Sequence, residues 1–410
     1  VALPPALGGR LITVANTPIQ RLGSSHEQSV FGNITAHIGD RFELSGGLRY
    51  ISYESEGAII VNRTNNITDP NIKDDRVIYT ASAKYQVTPS FMVYVNTGSS
   101  YRPPINAVGD FSVRQSVLER SFLSLPPETS ESYEAGFKSE LFDKRVRLNV
   151  TGYHQRFKNY PYRAPNNGVY YVNFAATPAA GGGTTVTPTV ANFNFVGAVP
   201  VRVNGVEGEI AFAATDRWDV SLIASYSLGK IRNGTIPCTD LNRDGAPDNV
   251  TAAPTLAQLQ AVVGANNLSA CQVTQRSSFA PPLTATLTSE YRVPLSARTD
   301  SYVRGLFTFS GRSQADPTNP FDEVGKYGLL NLYAGLRDHD GRWEVAAFAK
   351  NVTDIAKALS RSTPATTSYQ VLNPATGTTT GVATTSTYTL VTSTAPREFG
   401  LTLRYNFGTR

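Results

Sequence analysis

The segment from Asp240 to Asp248 carries residues suited to holding a metal ion. Carboxylate and amide oxygens stand at alternate positions in the pattern Asp-x-Asn-x-Asp-Gly-x-x-Asp, and Gly245 allows the chain to bend. This spacing resembles extracellular calcium loops, in which oxygen ligands wrap around the ion. The twelfth position is Thr251 rather than the bidentate glutamate of an EF-hand, so a polar turn is the alternative. The sequence predicts a structural Ca²⁺ held by Asp240, Asn242, Asp244 and Asp248.

The chain has two cysteines, Cys238 and Cys271, and both fall in one polar stretch. We expect them to form a disulfide, with two unpaired thiols as the alternative. A disulfide indicates an oxidising compartment outside the cytoplasm. Closing a loop of about 30 residues stabilises the folded state by about 3–4 kcal/mol if the loss of chain entropy in the unfolded state dominates.

No combination of residues indicates catalysis. The four histidines (His26, His37, His154 and His339) are dispersed, and the sequence contains no His-Glu-x-x-His motif, nucleophile elbow or phosphate-binding loop. The net charge of +5 arises from 37 basic and 32 acidic residues spread along the chain, so nucleic acid is not an expected partner. We expect a protein that is not an enzyme.

The elements that must position these residues are β-strands. In residues 399–407 apolar and polar side chains alternate strictly, and the stretch ends with the aromatic residues Tyr405 and Phe407. A period of two indicates a strand, because successive side chains point to opposite faces of a sheet. One face is apolar and the other carries Arg404, which favours a strand between lipid and a hydrated interior.

The same alternation recurs in about thirteen strands, most of them joined in pairs by tight turns. The predicted strands are residues 28–38, 42–53, 77–87, 91–100, 131–141, 145–158, 201–214, 218–230, 282–293, 300–312, 327–338, 342–352 and 397–407. Long polar stretches separate the pairs and are predicted to be loops, at residues 55–75, 101–129, 159–199, 231–280, 313–326 and 353–396. Loops of this length are uncommon inside compact soluble domains.

This asymmetry predicts an all-β fold without helices, a transmembrane antiparallel β-barrel with short periplasmic turns and long extracellular loops. The chain is 40% hydrophobic, and no window approaches the ~18 consecutive apolar residues of a membrane-spanning helix. A barrel needs no such run, because only every second residue meets lipid. The alternative is a soluble up-and-down β-protein, in which the apolar faces would meet in a dry core.

Five short motifs resemble TonB-dependent outer-membrane receptors. The most extensive is Pro-Glu-Thr-Ser-Glu-Ser-Tyr-Glu-Ala-Gly-Phe-Lys at residues 127–138, followed by Leu-Phe-Asp-Lys-Arg-Val-Arg-Leu-Asn at residues 141–149. The other four are Tyr-Arg-Pro-Pro at 101–104, Asn-Gly-Val-Glu-Gly-Glu at 204–209, Phe-Ala-Lys-Asn-Val-Thr-Asp at 348–354 and Arg-Tyr-Asn-Phe at 404–407. All five occur in the order that is typical of the family.

The resemblance implies a barrel of about 22 strands around a plug domain, of which this chain would supply about thirteen C-terminal strands. Residues 1–25 are then expected to be the remnant of an extracellular loop, and residues 26–410 the C-terminal portion of the barrel. The plug domain, the TonB box and the first strands are expected in a preceding segment or on another chain.

The resemblance also implies a ligand site on the extracellular side, formed by loops and the upper wall. Aromatic faces and guanidinium groups suit large, partly apolar, often anionic ligands such as ferric siderophores. The alternative for each residue is a place in the interfacial girdle or in loop packing. The expected ligand-binding residues are Tyr101, Arg102, Arg114, Tyr160, Tyr162, Arg163, Tyr170, Tyr171, Phe193 and Phe195.

The implied function is import of a scarce nutrient, most often a ferric siderophore or similar iron complex, with energy from the TonB complex. The implied location is the bacterial outer membrane, with the loops facing the cell exterior. Expected partners are outer-membrane lipid, the TonB complex through the plug, the nutrient, and the N-terminal part of the receptor. A passive porin-like channel and a surface barrel that binds carbohydrate or another partner are the alternatives.

Overall fold

A computed structural model describes residues 19–407, apart from 62–64, 108–110, 164–167, 179–181, 249, 251–252, 315–322, 362–365, 373–378 and 386–387. Among these residues the strands are, in chain order, β1 Ile19–Ile38, β2 Phe42–Val61, β3 Asn65–Thr88, β4 Phe91–Arg102, β5 Ile105–Asn106, β6 Ser124–Leu125, β7 Glu128–Leu141, β8 Val146–Arg163, β9 Val169–Pro178, β10 Thr184–Phe193, β11 Val196–Thr215, β12 Trp218–Ile231, β13 Gly234–Cys238, β14 Ser269–Val273, β15 Leu283–Pro294, β16 Thr299–Ser310, β17 Tyr327–Asp338, β18 Trp343–Lys350, β19 Ala358–Arg361, β20 Thr366–Leu372, β21 Thr379–Thr385, β22 Val391–Ser393 and β23 Glu398–Tyr405. The helices are α1 Val117–Leu123 and α2 Leu256–Val263, and a 3₁₀ turn covers Gly264–Asn266.

Thirteen of these strands form one antiparallel sheet, which we call the wall. Its strand order is β1-β2-β3-β4-β7-β8-β11-β12-β15-β16-β17-β18-β23, so consecutive wall strands are always neighbours. The predicted all-β class and the thirteen strands are confirmed. Among the described strands, β1 and β23 form the two edges and each pairs with a single wall strand.

Several wall strands are longer than the alternation predicts. β2 runs to Val61 and β3 begins at Asn65, so the loop predicted at residues 55–75 is wrong. β1 begins at Ile19, so residues 19–25 are strand rather than loop, whereas residues 1–18 lie outside the described part. These extensions are rich in Ser, Asn, Asp and Glu. A strand with polar residues on both faces lacks the two-residue period on which the prediction depends.

The long loops also contain regular structure of their own. The helices α1 and α2 lie in the loops predicted at residues 101–129 and 231–280, so the expectation of a fold without helices is wrong there. Ser116 Oγ accepts a hydrogen bond from the Glu119 backbone N–H at 3.0 Å, and Thr255 with Gln258 forms a capping box. Both helices therefore begin with the Ser/Thr-x-x-Glu/Gln pattern. Neither these nor any other described helix is long and apolar enough to cross a membrane.

The strand register sorts the wall side chains into two faces. On one face apolar residues lie directly opposite each other from strand to strand, as in the row Val206, Tyr226 and Leu283. Many of them are open to the surroundings, and Leu401 on β23 is 79% exposed. Contiguous exposed apolar surface of this extent requires an apolar environment. We call this the outer face.

The opposite face, which we call the inner face, is polar and internally paired. Lys84 Nζ lies 2.7 Å from Glu43 Oε1, and Asn149 Nδ2 donates to Glu209 Oε2 at 3.2 Å. Some aromatic rings on this face lie over a neighbouring strand at a glycine, as Tyr153 does at Gly205. A Cβ atom at Gly205 would collide with that ring, so the glycine is required by this close approach.

Candidate functional site

Three long segments pack together at the end of the wall opposite the short turns. They are the described residues of 103–127, which lie between β4 and β7, of 168–195, between β8 and β11, and of 232–282, between β12 and β15. We call them the cap. Backbone hydrogen bonds join the segments, since Val113 N–H donates to Phe174 O at 3.1 Å and Val172 N–H donates to Asn267 O at 2.8 Å.

The cap has its own hydrophobic core, in three clusters. One lies where the cap meets the upper ends of β8, β11 and β12, and comprises Tyr162, Val199, Val201, Ile231, Ile236, Cys238, Cys271 and Val273. The second comprises Phe122, Leu123, Val169, Tyr171, Phe195 and Leu268. The third comprises Val172, Leu259 and Val263. Loops that bury apolar residues in this way hold a defined surface toward any ligand.

A buried carboxyl group links two of the cap segments. Glu119 on α1 is fully buried, and its Oε2 accepts a hydrogen bond from Asn267 Nδ2 at 2.8 Å. Asn267 also donates to the Arg114 carbonyl at 2.7 Å, and it lies in the left-handed region with φ 67°. Burial raises the pKa of the Glu119 carboxyl above its ordinary value, against the hydrogen bond from Asn267. The protonated form is therefore favoured here more than in water.

The structure places four of the ten expected ligand-binding residues inside the cap rather than on its surface. Tyr162, Tyr171 and Phe195 are buried, and Tyr162 Oη accepts from Gln275 Nε2 at 2.8 Å. Phe193 is half-buried and meets Phe195 edge to face at 5.0 Å between ring centroids. These four residues contribute to loop packing, which is the alternative that the sequence leaves open.

The other six expected residues lie at the margins of the cap. Tyr160 and Tyr170 are half-buried beside the first and third clusters. Arg163 is exposed at the end of β8, and the exposed Arg114 guanidinium lies over the Phe174 ring at 5.8 Å. At the end of β4, Arg102 Nη1 lies 3.5 Å from Glu128 Oε2, and the Tyr101 ring lies 5.9 Å from the Arg76 guanidinium. The structure thus separates these residues into several small groups.

The Asp240–Asp248 segment is held by hydrogen bonds to its own backbone. The Asp240 carboxylate accepts from the N–H groups of Asp244 at 3.1 Å and Gly245 at 3.0 Å. The Asp248 carboxylate accepts from Leu241 N–H at 2.6 Å, and Asn242 Nδ2 donates to Asp244 Oδ2 at 3.0 Å. Within the described residues, no group of three or more His, Cys, Asp or Glu side chains is arranged to hold a metal. The calcium site stays a prediction.

The structure joins Cys238 and Cys271 in a disulfide, with 5.8 Å between their Cα atoms. It ties β13 to β14, which pair antiparallel through Ile236 and Cys271. Both cysteines are buried in the first cluster, so the bond lies in the cap interior.

Two features are missed by reasoning from the sequence, one in the cap and one at the opposite end of the wall. Sequence reasoning does not single out Glu119 or Asn267, although the Ser116-x-x-Glu119 spacing is a visible sign of a helix start. It also misses a charge network on the inner face near the short turns. There Glu290 Oε2 accepts from Arg304 Nε at 2.7 Å and Glu290 Oε1 from Arg337 Nη2 at 2.9 Å. The network borders a cavity of about 670 Å³.

Comparison with known proteins identifies the barrel. Residues 8–352 match the family described as "TonB dependent receptor-like, beta-barrel". The chain belongs to this family. The family is that of outer-membrane receptors, so the receptor barrel lies in the outer membrane.

Individual relatives agree with this assignment. A probable TonB-dependent receptor of Bordetella pertussis, BfrD, is 25% identical over 195 residues, covering 47% of this chain and 22% of the relative. An uncharacterized TonB-dependent receptor of Haemophilus influenzae is 29% identical over 121 residues, covering 28% of this chain and 30% of the relative. The receptor barrel therefore matches less than a third of the length of these relatives.

Solved structures show the same fold. The ferric yersiniabactin uptake receptor FyuA of Yersinia pestis superposes with a TM-score of 0.60 at 16% identity, covering 95% of this chain and 47% of that one. The ferric-catecholate import receptor Fiu of E. coli gives 0.56 at 18% identity, covering 94% and 45%. At such identities the likeness concerns the fold alone. The receptor barrel spans about half the length of these neighbours.

Proposed function

We propose that this chain is the ligand-binding and wall-forming part of a TonB-coupled receptor that imports a ferric siderophore or similar iron complex. The observation that carries the proposal is the cap, in which three loop segments fold on a common hydrophobic core at one end of the wall. A cap that packs on its own core suits a receptor that recognises one ligand class, because preorganised loops lose little entropy on binding. The structural neighbours FyuA, a ferric yersiniabactin uptake receptor, and Fiu, a ferric-catecholate import receptor, support an iron complex as the ligand.

In this proposal the cap faces the cell exterior and the short turns face the periplasm. Longer connections on the outside are the usual arrangement in outer-membrane barrels. The buried disulfide supports a location outside the cytoplasm. The plug domain and the TonB complex would act on the polar inner face, where paired charges such as Glu290 with Arg304 and Arg337 offer hydrogen-bonding partners to a domain in the lumen.

The proposed ligand contacts are five members of the expected set that lie at the margins of the cap. They are the exposed cations Arg102, Arg114 and Arg163 and the half-buried rings of Tyr160 and Tyr170. Guanidinium groups bind carboxylate and catecholate oxygens with two parallel hydrogen bonds, and aromatic faces cover the apolar part of such a ligand. The buried Tyr162, Tyr171 and Phe195 support this surface from below.

Uptake of radioactive iron tests the proposal. A strain that lacks the receptor gene is supplied with ⁵⁵Fe bound to individual siderophores, and the gene is restored in parallel. Receptor- and TonB-dependent accumulation of one ferric siderophore is the expected result. Uptake that continues at the same rate without TonB would instead indicate a passive channel and overturn the proposal.

Alanine substitution of Arg102, Arg114 and Arg163 together should weaken binding of that siderophore by tenfold or more, since hydrogen bonds to charged groups are each worth about 1.5–3 kcal/mol. The control replaces Arg41, Arg217 and Arg298, three exposed arginines at the short turns. Equal affinity of both variants for the siderophore would show that Arg102, Arg114 and Arg163 do not contact it.

A further inference from the structure

The outer face of the wall carries an apolar recess. It lies across β2, β3, β4, β7 and β8 and has a volume of about 700 Å³. Two adjacent rows of outer-face residues line it, and the small residues Ala81, Ala83, Ala135 and Gly152 are among them. Larger side chains such as Leu44 and Tyr133 stand at its sides. A recess of this kind on a lipid-facing surface accommodates acyl chains.

A second, polar groove of about 400 Å³ adjoins the recess on the side of the cap. The two share a boundary, because Tyr133 and His154 border the recess while Glu131 and Arg156 stand at the next outer-face positions of the same two strands. Lys158 also lines the groove. Among the residues that line it, Glu131 is the one acid, against three cations.

The cations of the groove continue as a row across the outer face. Arg156 on β8 lies directly opposite Arg202 on β11, which lies directly opposite Lys230 on β12. Like charges in directly opposite positions destabilise a sheet unless an anion lies between them. Within the part of the chain that the structure describes, none of these three cations forms an ion pair with a carboxylate, whereas Arg49, Lys84 and Arg304 all do. Glu131 on β7 lies directly opposite Arg156, so the row sets three cations against one neighbouring acid that, among the described residues, forms no ion pair with them.

The row lies at the height where lipid headgroups begin. Arg156 follows Val146, the first residue of β8, by ten positions. At about 3.3 Å per residue and a tilt of about 35–45°, it lies roughly 23–27 Å above the short turn. The apolar band of an outer-membrane barrel is about 25 Å tall. Arg156 Nε also donates to His154 Nε2 at 3.0 Å, which holds the guanidinium at this level.

We propose that this part of the outer face is a specific binding site for one lipid of the outer leaflet, a glycolipid whose headgroup carries phosphates. Its acyl chains fill the recess, and its phosphates bind Arg156, Lys158, Arg202 and Lys230. The site rests on the proposed orientation, with the cap outside the cell. It is separate from the proposed nutrient site, because its residues face away from the inner face.

The first test removes the cations. The receptor is purified, stripped of lipid and titrated with phosphatidylcholine nanodiscs that contain lipid A with both phosphates or lipid A from which they have been removed. The triple variant R156Q/K158Q/R202Q should bind the phosphorylated form on the order of 100-fold more weakly, since each cation near an anionic surface contributes about fivefold. The control R41Q/R217Q/R298Q, which removes three exposed cations at the short turns, should bind like wild type.

The second test fills the recess. Gly152 lies on the outer face and has no atom closer than 4.0 Å to a Cβ placed on it, so Gly152→Val is tolerated by the fold and occupies space in the recess. Native mass spectrometry should show fewer copies of lipid A retained by this variant. Gly32→Val is the matched control, because Gly32 lies on the outer face of β1, away from the recess, and also has open space around it.

Two results would overturn the proposal. One is equal retention of phosphorylated lipid A by wild type, the triple variant and Gly152→Val, each with the heat-dependent electrophoretic mobility of a folded barrel. The other is full competition by inorganic phosphate alone, which would show an anion site without a lipid. Chemical labelling of the cap on intact cells checks the orientation separately, so a failure of the lipid site is distinguishable from an inverted barrel.

Discussion

The wall and the cap are built from the same kinds of residue but are stabilised in different ways. The wall joins thirteen strands through continuous ladders and leaves its large apolar residues open, as at Leu401 and Leu403, which are 79% and 75% exposed. The cap does the reverse. Its apolar residues are enclosed, with Phe195, Ile236 and Leu268 at 0–1% exposure.

In the proposed arrangement lipid covers the outer face of the wall, whereas the cap resembles a small soluble domain with its own core. When a side chain on the outer face of the wall is truncated, its apolar surroundings can fill the space that it leaves. A cap side chain leaves a cavity that nothing fills. Changes in the two regions should therefore have unequal effects.

The largest effect is expected from Phe195→Ala. The ring is fully buried between Tyr171 and Phe193, so its loss should lower the free energy of unfolding of the cap by about 3–5 kcal/mol. Hydrogen exchange of the cap amides measures this local stability. Phe399→Ala is the control, because Phe399 is 70% exposed on the outer face, and it should change little. Equal effects at the two positions would remove the distinction between wall and cap.

The next largest effect is expected from removal of the disulfide. The double substitution Cys238→Ala and Cys271→Ala opens a link between residues 33 positions apart and should cost the cap about 3–4 kcal/mol. Limited proteolysis of residues 232–282 reports the change, and the wall strands should stay protected. If the variant and the wild type were cleaved at the same rate, the disulfide would not stabilise the cap, and its hydrophobic core would account for its stability.

The contrast also explains what the sequence can predict. Wall strands can be predicted because one face is apolar and the other polar, so alternation assigns a face to every residue from Val146 to Val150. The class, the thirteen strands and the short turns follow from that one rule. The extensions of β1, β2 and β3 are missed because apolar and polar residues do not alternate there.

The cap could be predicted only in part. Helix caps and the nearby cysteines are local signals, and they point to α1, α2 and the disulfide. Contacts between segments more than a hundred residues apart, such as Glu119 with Asn267, depend on packing that has no local pattern. For the same reason Tyr162, Tyr171 and Phe195 look like surface aromatics in the sequence and are buried in the fold.

A pair of neighbouring substitutions tests the wall directly. Leu222 on β12 belongs to the outer face, where it lies opposite Ile210 and Leu287, while Ile223 belongs to the inner face and lies opposite Glu209. Arginine near the middle of the lipid-facing surface costs about 2–4 kcal/mol. Leu222→Arg should therefore lower barrel stability in refolding experiments, and Ile223→Arg should be tolerated. Similar losses for both would contradict the assignment of the faces.

The smallest effect is expected from the buried carboxyl of the cap. Because burial raises the pKa of Glu119 above its ordinary value of 4.5, the protonated form is favoured in the folded cap. This contribution to stability is fully present below pH 4.5 and is lost as the pH rises through the raised pKa. Hydrogen exchange of the wild-type cap should therefore show falling protection over that range of pH.

Glu119→Gln separates this effect from other titrations. The amide cannot ionise, so the variant should lose the pH dependence that Glu119 contributes and should gain stability over wild type at neutral pH. Asp40→Asn, at an exposed short turn of the wall, is the control and should leave the profile of the cap unchanged. If the wild type and Glu119→Gln kept parallel profiles, the buried carboxyl would not couple the cap to pH, because its charge would then be equally favourable in the folded and the open cap.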